Sequence, residues 1–172
     1  MRDPGSEIVV RVVERLCPEE IAVLAELLVA VVADGASVGF LPPLGKEEVI
    51  AYWREALGPG VILLVAEHAG GIVGTVQLQC TMRPNGLHRA EVAKLMVHPA
   101  ARRQGLGRRL MERLEEEARR LDRTLLVLDT REGDPSNALY GALGYVEVGR
   151  IPLYAMAATG ALAGTVIYYK QL

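Results

Sequence analysis

The stretch VHPAARRQGLGRRLMERLEEEARRL, residues 97–121, decides how the chain is read. From Leu106 its apolar residues fall at 106, 110, 111, 114, 118 and 121, one stripe of an amphipathic helix. Glu115–Arg119 and Glu116–Arg120 have the i,i+4 spacing of solvent-side ion pairs. Four arginines, Arg102, Arg103, Arg108 and Arg109, crowd the start of this helix. Free N–H groups and the macrodipole make that end electropositive, so cations there cost stability. The placement points to an anion. Gly105 and Gly107 remove side chains from the same turn and permit left-handed dihedrals, so the amides of RRQGLG can cradle phosphate oxygens.

Outward from that helix the pattern alternates between strands and helices. On its N-terminal side, EIVVRVVE (7–14) reads as a strand and CPEEIAVLAELLVAVVADGA (17–36) as a helix with Pro18 at its start. A loop, DGASVGFLPPLG, leads to a second helix, KEEVIAYWREAL (46–57). VILLVAEHAGGIVGTVQLQC (61–80) is expected to form two strands joined at Gly70-Gly71, and HRAEVAKLMVH (88–98) a third. On its C-terminal side come a buried strand TLLVLD (124–129), a short helix DPSNALYGAL, a strand GYVEVG and a final strand TVIYYKQL. The order β-α-α-β-β-β-α-β-α-β-β predicts one α/β (α+β) domain over residues 1–172, built on a mixed sheet.

Composition narrows the function. The chain has 172 residues, 51% of them hydrophobic, with one Phe and one Trp, which predicts an aliphatic core. A net charge of −2 argues against bulk nucleic-acid binding, so the arginine cluster is a local device. Cys17 and Cys80 make no disulfide framework and read as buried or inert thiols; the three histidines offer no metal-ligand spacing. MRDPGSEIVV lacks the regions of a signal peptide, so cytoplasm is the expectation. Residues 151–169 carry no charge, but Pro152, Gly160 and Gly164 make a poor membrane helix. That segment reads as a small-residue loop before the last strand and not as a membrane anchor.

Three phosphate-binding loops compete for RRQGLG. A nucleoside-triphosphate loop needs G-x-x-x-x-G-K-[ST], which is absent. A dinucleotide fold needs a third glycine where Leu110 stands, although Asp129 lies about 20 residues on, where a ribose-binding acid would sit. A coenzyme A loop is the third. VHPAARRQGLGRRLM resembles the R/Q-x-x-G-x-G/A signature of the GNAT superfamily of N-acetyltransferases, carried by Arg102, Gly105 and Gly107, and ALYGALGY resembles its Y-x-x-x-G-[FY] element. The resemblance implies a GNAT fold of about seven mostly antiparallel strands, with helices on both faces. DGASVGF, RPNGLHRAEVAKLMV, LVLDT and GRIPLYA are similar to a toxin-resistance subgroup whose acceptor is a small β-lactam amino acid.

That resemblance also implies a site. Backbone amides of Arg103, Gln104, Gly105, Leu106, Gly107 and Arg108 would hold the diphosphate of acetyl-CoA, with Arg102 beside them. Leu95, Met96 and Val97 would pair with the pantetheine arm, and Tyr140 would protonate the departing thiolate. A phenol suits that task, because its ordinary pKa of about 10 keeps it protonated at neutral pH. Glu91 and Asp129, from neighbouring strands, would grip the acceptor ammonium and remove a proton, in an order left open. Many members carry an asparagine seven residues before the tyrosine; here that position is Gly133, and Asn137 could reach the cofactor instead.

The expected reaction is direct attack by a small-molecule amine in a ternary complex, with no metal, nucleic acid or membrane partner. A non-catalytic CoA-binding regulatory module is the alternative. The aliphatic last strand can complete the sheet or meet a second subunit, so a homodimer stays open.

Overall fold

The computed structural model describes residues 7–172; the opening MRDPGS lies outside the described residues. The elements follow the predicted order: β1 Val9–Val13, α1 Pro18–Ala33, α2 Lys46–Glu55, β2 Val61–His68, β3 Gly71–Cys80 and β4 Arg89–Val97. Then come α3 Leu106–Arg120, β5 Leu125–Arg131, α4 Ser136–Ala142, β6 Val146–Met156 and β7 Leu162–Gln171. The strands form one seven-stranded sheet in the order β1-β2-β3-β4-β5-β7-β6. Every pairing is antiparallel except that of β4 with β5.

Helices cover both faces. The expected stripe of α3 (Leu106, Leu110, Met111, Leu114, Ala118) packs on one face with Leu64, Val76 and Leu126. On the other face Leu24, Leu28 and Val32 of α1 and Trp53 of α2 close over Leu63 and Val65. The strand β2 therefore feeds both cores with alternate residues, which explains its unbroken apolar run.

Five local expectations are corrected. The β2–β3 turn is Ala69-Gly70, both at positive φ, with Gly71 already paired in β3. A type I′ hairpin turn places both central residues at positive φ, and the core pattern of the strands fixes the register one residue early. Residues 151–156 are strand, not loop. β6 pairs Ile151, Ala155 and Met156 with β7, and the bulge between them takes up Pro152, tolerated because β6 is an edge strand. Glu115 does not face solvent: it is buried and accepts from Lys170 Nζ at 2.7 Å through both oxygens. Arg120 bonds Glu117 rather than Glu116. Cys17, expected buried or inert, is exposed at the start of α1. No helix among the described residues is long and apolar enough to cross a membrane.

Candidate functional site

The parallel pairing of β4 with β5 stops early. It joins Arg89, Ala90 and Glu91 to Leu125, Leu126 and Val127, after which the two strands part. A bulge drives them apart: β3 pairs Thr75 with Met96 and Gln77 with Ala93, so β4 holds one residue more across that span, with Lys94 at φ +53°. The bulge also changes which residues face which way. Ala90 and Val92 point to the α3 core before it, Leu95 and Val97 after it, and Met96 to the α1 side. From Val92 to Val97 the edge of β4 that faces β5 is unpaired. This is a place for an extended ligand to add as a strand.

A cleft of about 910 Å³ opens along that edge. Glu91, Leu95, Met96, Val97, Arg102, Arg103, Gly105, Leu106, Gly107, Arg108, Asp129 and Tyr140 all line it, so most of the residues singled out in the sequence come together. Gln104 and Asn137 do not line it. Asn137 is occupied within the fold. Its Nδ2 donates to the carbonyls of Arg131 (3.0 Å) and Asp134 (2.8 Å), and its Oδ1 accepts from the Tyr168 hydroxyl at 2.9 Å.

The turn before α3 has the predicted form. Arg103 (φ +60°) and Gly105 (φ +78°) are left-handed, and a Cβ at Gly105 would meet nothing within 4 Å. The first amide of α3 with a helical acceptor is that of Arg109, bonded to the Gly105 carbonyl. The preceding amides, Arg103 through Arg108, donate to no backbone acceptor among the described residues. The arginines divide their work. Arg102 forms a salt bridge with Asp34 and donates to the Val97 carbonyl, Arg109 donates to the Ile8 carbonyl, and Arg108 pairs with Glu112 at 3.5 Å. Arg103 forms no salt bridge among the described residues.

On the far wall, Tyr140 is 5% exposed and stands edge-on to Tyr145, with ring centroids 5.8 Å apart. Burial, with Asp134 and Asp129 nearby, pushes its phenol well above the ordinary tyrosine value. It stays protonated at neutral pH.

Leu126 and Leu128 of β5 face α3, so Asp129 lies on the opposite face, the side of Glu91 and Lys94. Asp129 Oδ2 accepts from Thr165 Oγ1 at 2.7 Å. Glu91 is exposed and accepts no hydrogen bond among the described residues. Lys94 was not foreseen as part of the site. Its Nζ donates to the Val38 carbonyl at 2.6 Å and lies over the rings of Phe40 and Tyr52, at 5.5 and 5.9 Å from their centroids. Burial lowers the Lys94 pKa, while the charges of Glu91 and Asp129 oppose the shift. The one sequence signal was a lysine in the apolar run VAKLMV, which strict alternation would send with Val92 into the α3 core.

A family model described as an acetyltransferase (GNAT) domain matches residues 59–147. Two curated proteins of Azospirillum brasilense align with part of the chain. An uncharacterized N-acetyltransferase in the hisH-hisA intergenic region is 38% identical over 104 residues, and an IAA acetyltransferase is 35% identical over 92. These alignments cover 59% and 53% of this chain but 62% and 58% of those proteins, so the chain spans about three fifths of the length of the curated relatives it matches.

Solved structures align over nearly the whole chain. An N-acetyltransferase of Staphylococcus aureus Mu50 superposes with a TM-score of 0.82 at 17% identity, covering 96% of this chain and 99% of that one. The protein yncA of Salmonella typhimurium, solved with its cofactor acetyl-CoA, gives 0.78 at 22% identity, covering 96% and 94%. A GCN5-related N-acetyltransferase of Kribbella flavida gives 0.79 at 24%, covering 96% and 98%. At these identities the likeness is one of fold.

Proposed function

The chain belongs to the GNAT acetyltransferase family, and from that premise we propose that it transfers an acetyl group from acetyl-CoA to the amine of a small molecule. The observation that carries this reading is the run of amides from Arg103 to Arg108, left without backbone acceptors at one end of an unpaired strand edge. Those amides would hold the diphosphate, and the Leu95–Val97 edge the pantetheine arm, with one strand amide turned to the acyl oxygen. The thioester supplies an activated acyl carbon; the chain does the rest.

The acceptor amine is bound as an ammonium beside Glu91 and Asp129. Asp129 is held by Thr165 and fixes the charge of the site, whereas Glu91 has no competing bond and takes the proton. Lys94 fills the back of the pocket and directs the acceptor toward Glu91. Tyr140, kept neutral by burial, gives its proton to the leaving sulfur.

The stretches DGASVGF and RPNGLHRAEVAKLMV resemble the tabtoxin resistance protein, which supports an amino-acid-like acceptor, toxin or antibiotic included. We read residues 1–172 as one acetyltransferase domain working in the cytoplasm. The outer edge of β6 exposes Val148, Leu153 and Tyr154, a surface suited to a second copy in a homodimer.

The test is a screen for thiol release from acetyl-CoA over free amino acids, polyamines, aminoglycosides and β-lactam amino acids. Turnover with a small amine, lost in Tyr140→Phe, is expected. Tight acetyl-CoA binding without turnover on any amine would favour the regulatory module instead.

A further inference from the structure

A second cavity, of about 370 Å³, opens beside the first and is lined by Gln79, Cys80, Thr81, Arg89, Glu91 and Val127. Glu91 is the one residue that lines both. Arg89 and Glu91 are alternate residues of β4, both on the face opposite Ala90 and Val92, so their side chains rise side by side about 7 Å apart at the backbone. Arg89 is exposed and forms no salt bridge among the described residues. A second guanidinium lies at the end of β3, outside the residues lining the cavity. Arg123 donates through Nη1 to the Thr81 carbonyl at 3.2 Å, while its Nε is buried without an acceptor. Arg123 also lies close enough to Cys80 to oppose the rise that burial imposes on that thiol.

Arg89 is the one cation among the residues lining this cavity, with one carboxylate, Glu91, at the junction with the main cleft. An unpaired guanidinium fork in a partly enclosed pocket matches a planar anion, above all a carboxylate. We propose that Arg89 anchors a carboxylate on the acceptor, so that a small zwitterion lies along β4 with its ammonium at Glu91 and its carboxylate in the second cavity. Gln79 and Thr81 line the same cavity and offer an amide and a hydroxyl to the rest of the molecule. The acceptor class is then amino acids and close analogues rather than polyamines. The carboxylate also sets direction: held at Arg89, it leaves the amine on the side of the cofactor cleft.

This assignment rests on the acetyltransferase reading, and the test separates the two. Thiol release is measured for matched sets of an amino acid, its carboxamide and the corresponding decarboxylated amine, with the wild type, Arg89→Gln and Arg89→Lys. The wild type is expected to favour the free carboxylate by roughly 10- to 100-fold in kcat/KM, as for a charge-assisted contact in a partly dry site. Arg89→Gln should collapse that ratio, chiefly by raising KM for the amino acid, and Arg89→Lys should restore part of it. Acetyl-CoA titration reports whether each variant is folded, since Arg89 lies outside the cofactor cleft. Turnover of all three compounds at equal efficiency by the wild type overturns the assignment and leaves the acetyltransferase reading standing. So does a ratio that survives in Arg89→Gln. If no amine is turned over at all, the acetyltransferase reading fails and this assignment with it.

Discussion

Arg102 forms a salt bridge with Asp34 across the cleft, tying the turn after β4 to the C-terminal end of α1. An arginine that the sequence offered to an anion thus already has a carboxylate. Both side chains are nearly half exposed, so the pair is worth about 1 kcal/mol or less. Asp34→Asn should release Arg102 to the cofactor's diphosphate. Acetyl-CoA affinity should rise a few-fold at low salt and return to the wild-type value at high salt, with the melting temperature changed by about 3 °C at most. Titration calorimetry at two salt concentrations decides it; an affinity indifferent to the substitution would remove Arg102 from the cofactor site.

Tyr140→Phe should leave the fold intact and lower kcat by about 10²- to 10⁴-fold, the usual worth of a general acid. The pH profile is the sharper test. An acid works while protonated, and burial places this phenol above its ordinary value of about 10. Activity should therefore show no basic limb from Tyr140 below about pH 10. A limb with a lower midpoint, present in the wild type and missing from Tyr140→Phe, would contradict the assignment.

Gly105 separates strain from charge. At φ +78°, with open space where a Cβ would stand, Gly105→Ala should cost about 1 kcal/mol of stability for the left-handed backbone and change acetyl-CoA affinity little. Gly105→Glu meets the same strain and adds a carboxylate to a cradle of amides, so affinity should fall at least about 10-fold. Denaturant melts and equilibrium titration measure the two effects. Equal affinities in both variants would mean that no anion sits there.

How far the sequence could be read depends on the range of the interactions. The stripe on α3 and the glycine turn before it are local, and both are where the spacing puts them. Tyr140 and Asp129 lie in the cleft because short elements with clear boundaries carry them. Lys94 was not legible, since its role depends on a bulge whose register is set by pairing with β3. Glu115 looked solvated on its own helix; its partner Lys170 is fifty-five residues away on β7. Residues 151–156 looked like loop because Pro152 and the small residues hide an edge strand that only β7 can specify.

The Glu115–Lys170 pair should matter more to stability than any exposed pair. Glu115 is 5% exposed, and Lys170 also donates to the Leu143 carbonyl at 2.7 Å, joining α3, β7 and the end of α4. Glu115→Ala strands a mostly buried ammonium and should cost about 3 kcal/mol. Replacing both, as Glu115→Leu with Lys170→Met, should recover most of that loss. Urea melts of the three variants test this. A double variant no better than Glu115→Ala would show that the loss comes from packing and not from an uncompensated charge.

Lys94 gives a stability change with a defined sign. Burial holds its pKa below the ordinary value of about 10.4, with Glu91 and Asp129 pulling the other way. At neutral pH the folded chain bears the cost of a half-buried ammonium. Between the depressed value and the ordinary one, the unfolded chain binds more protons than the folded chain, so stability due to this group rises with pH. The unfolding free energy of the wild type minus that of Lys94→Met should therefore increase from pH 7 to pH 10, a difference in which the contributions of the buried tyrosines cancel. In Glu91→Gln, which withdraws one of the charges that favour the ammonium, the same difference should begin to rise at lower pH. A difference that falls with pH would mean that the two carboxylates outweigh burial and that Lys94 is held charged, as a fixed partner for them.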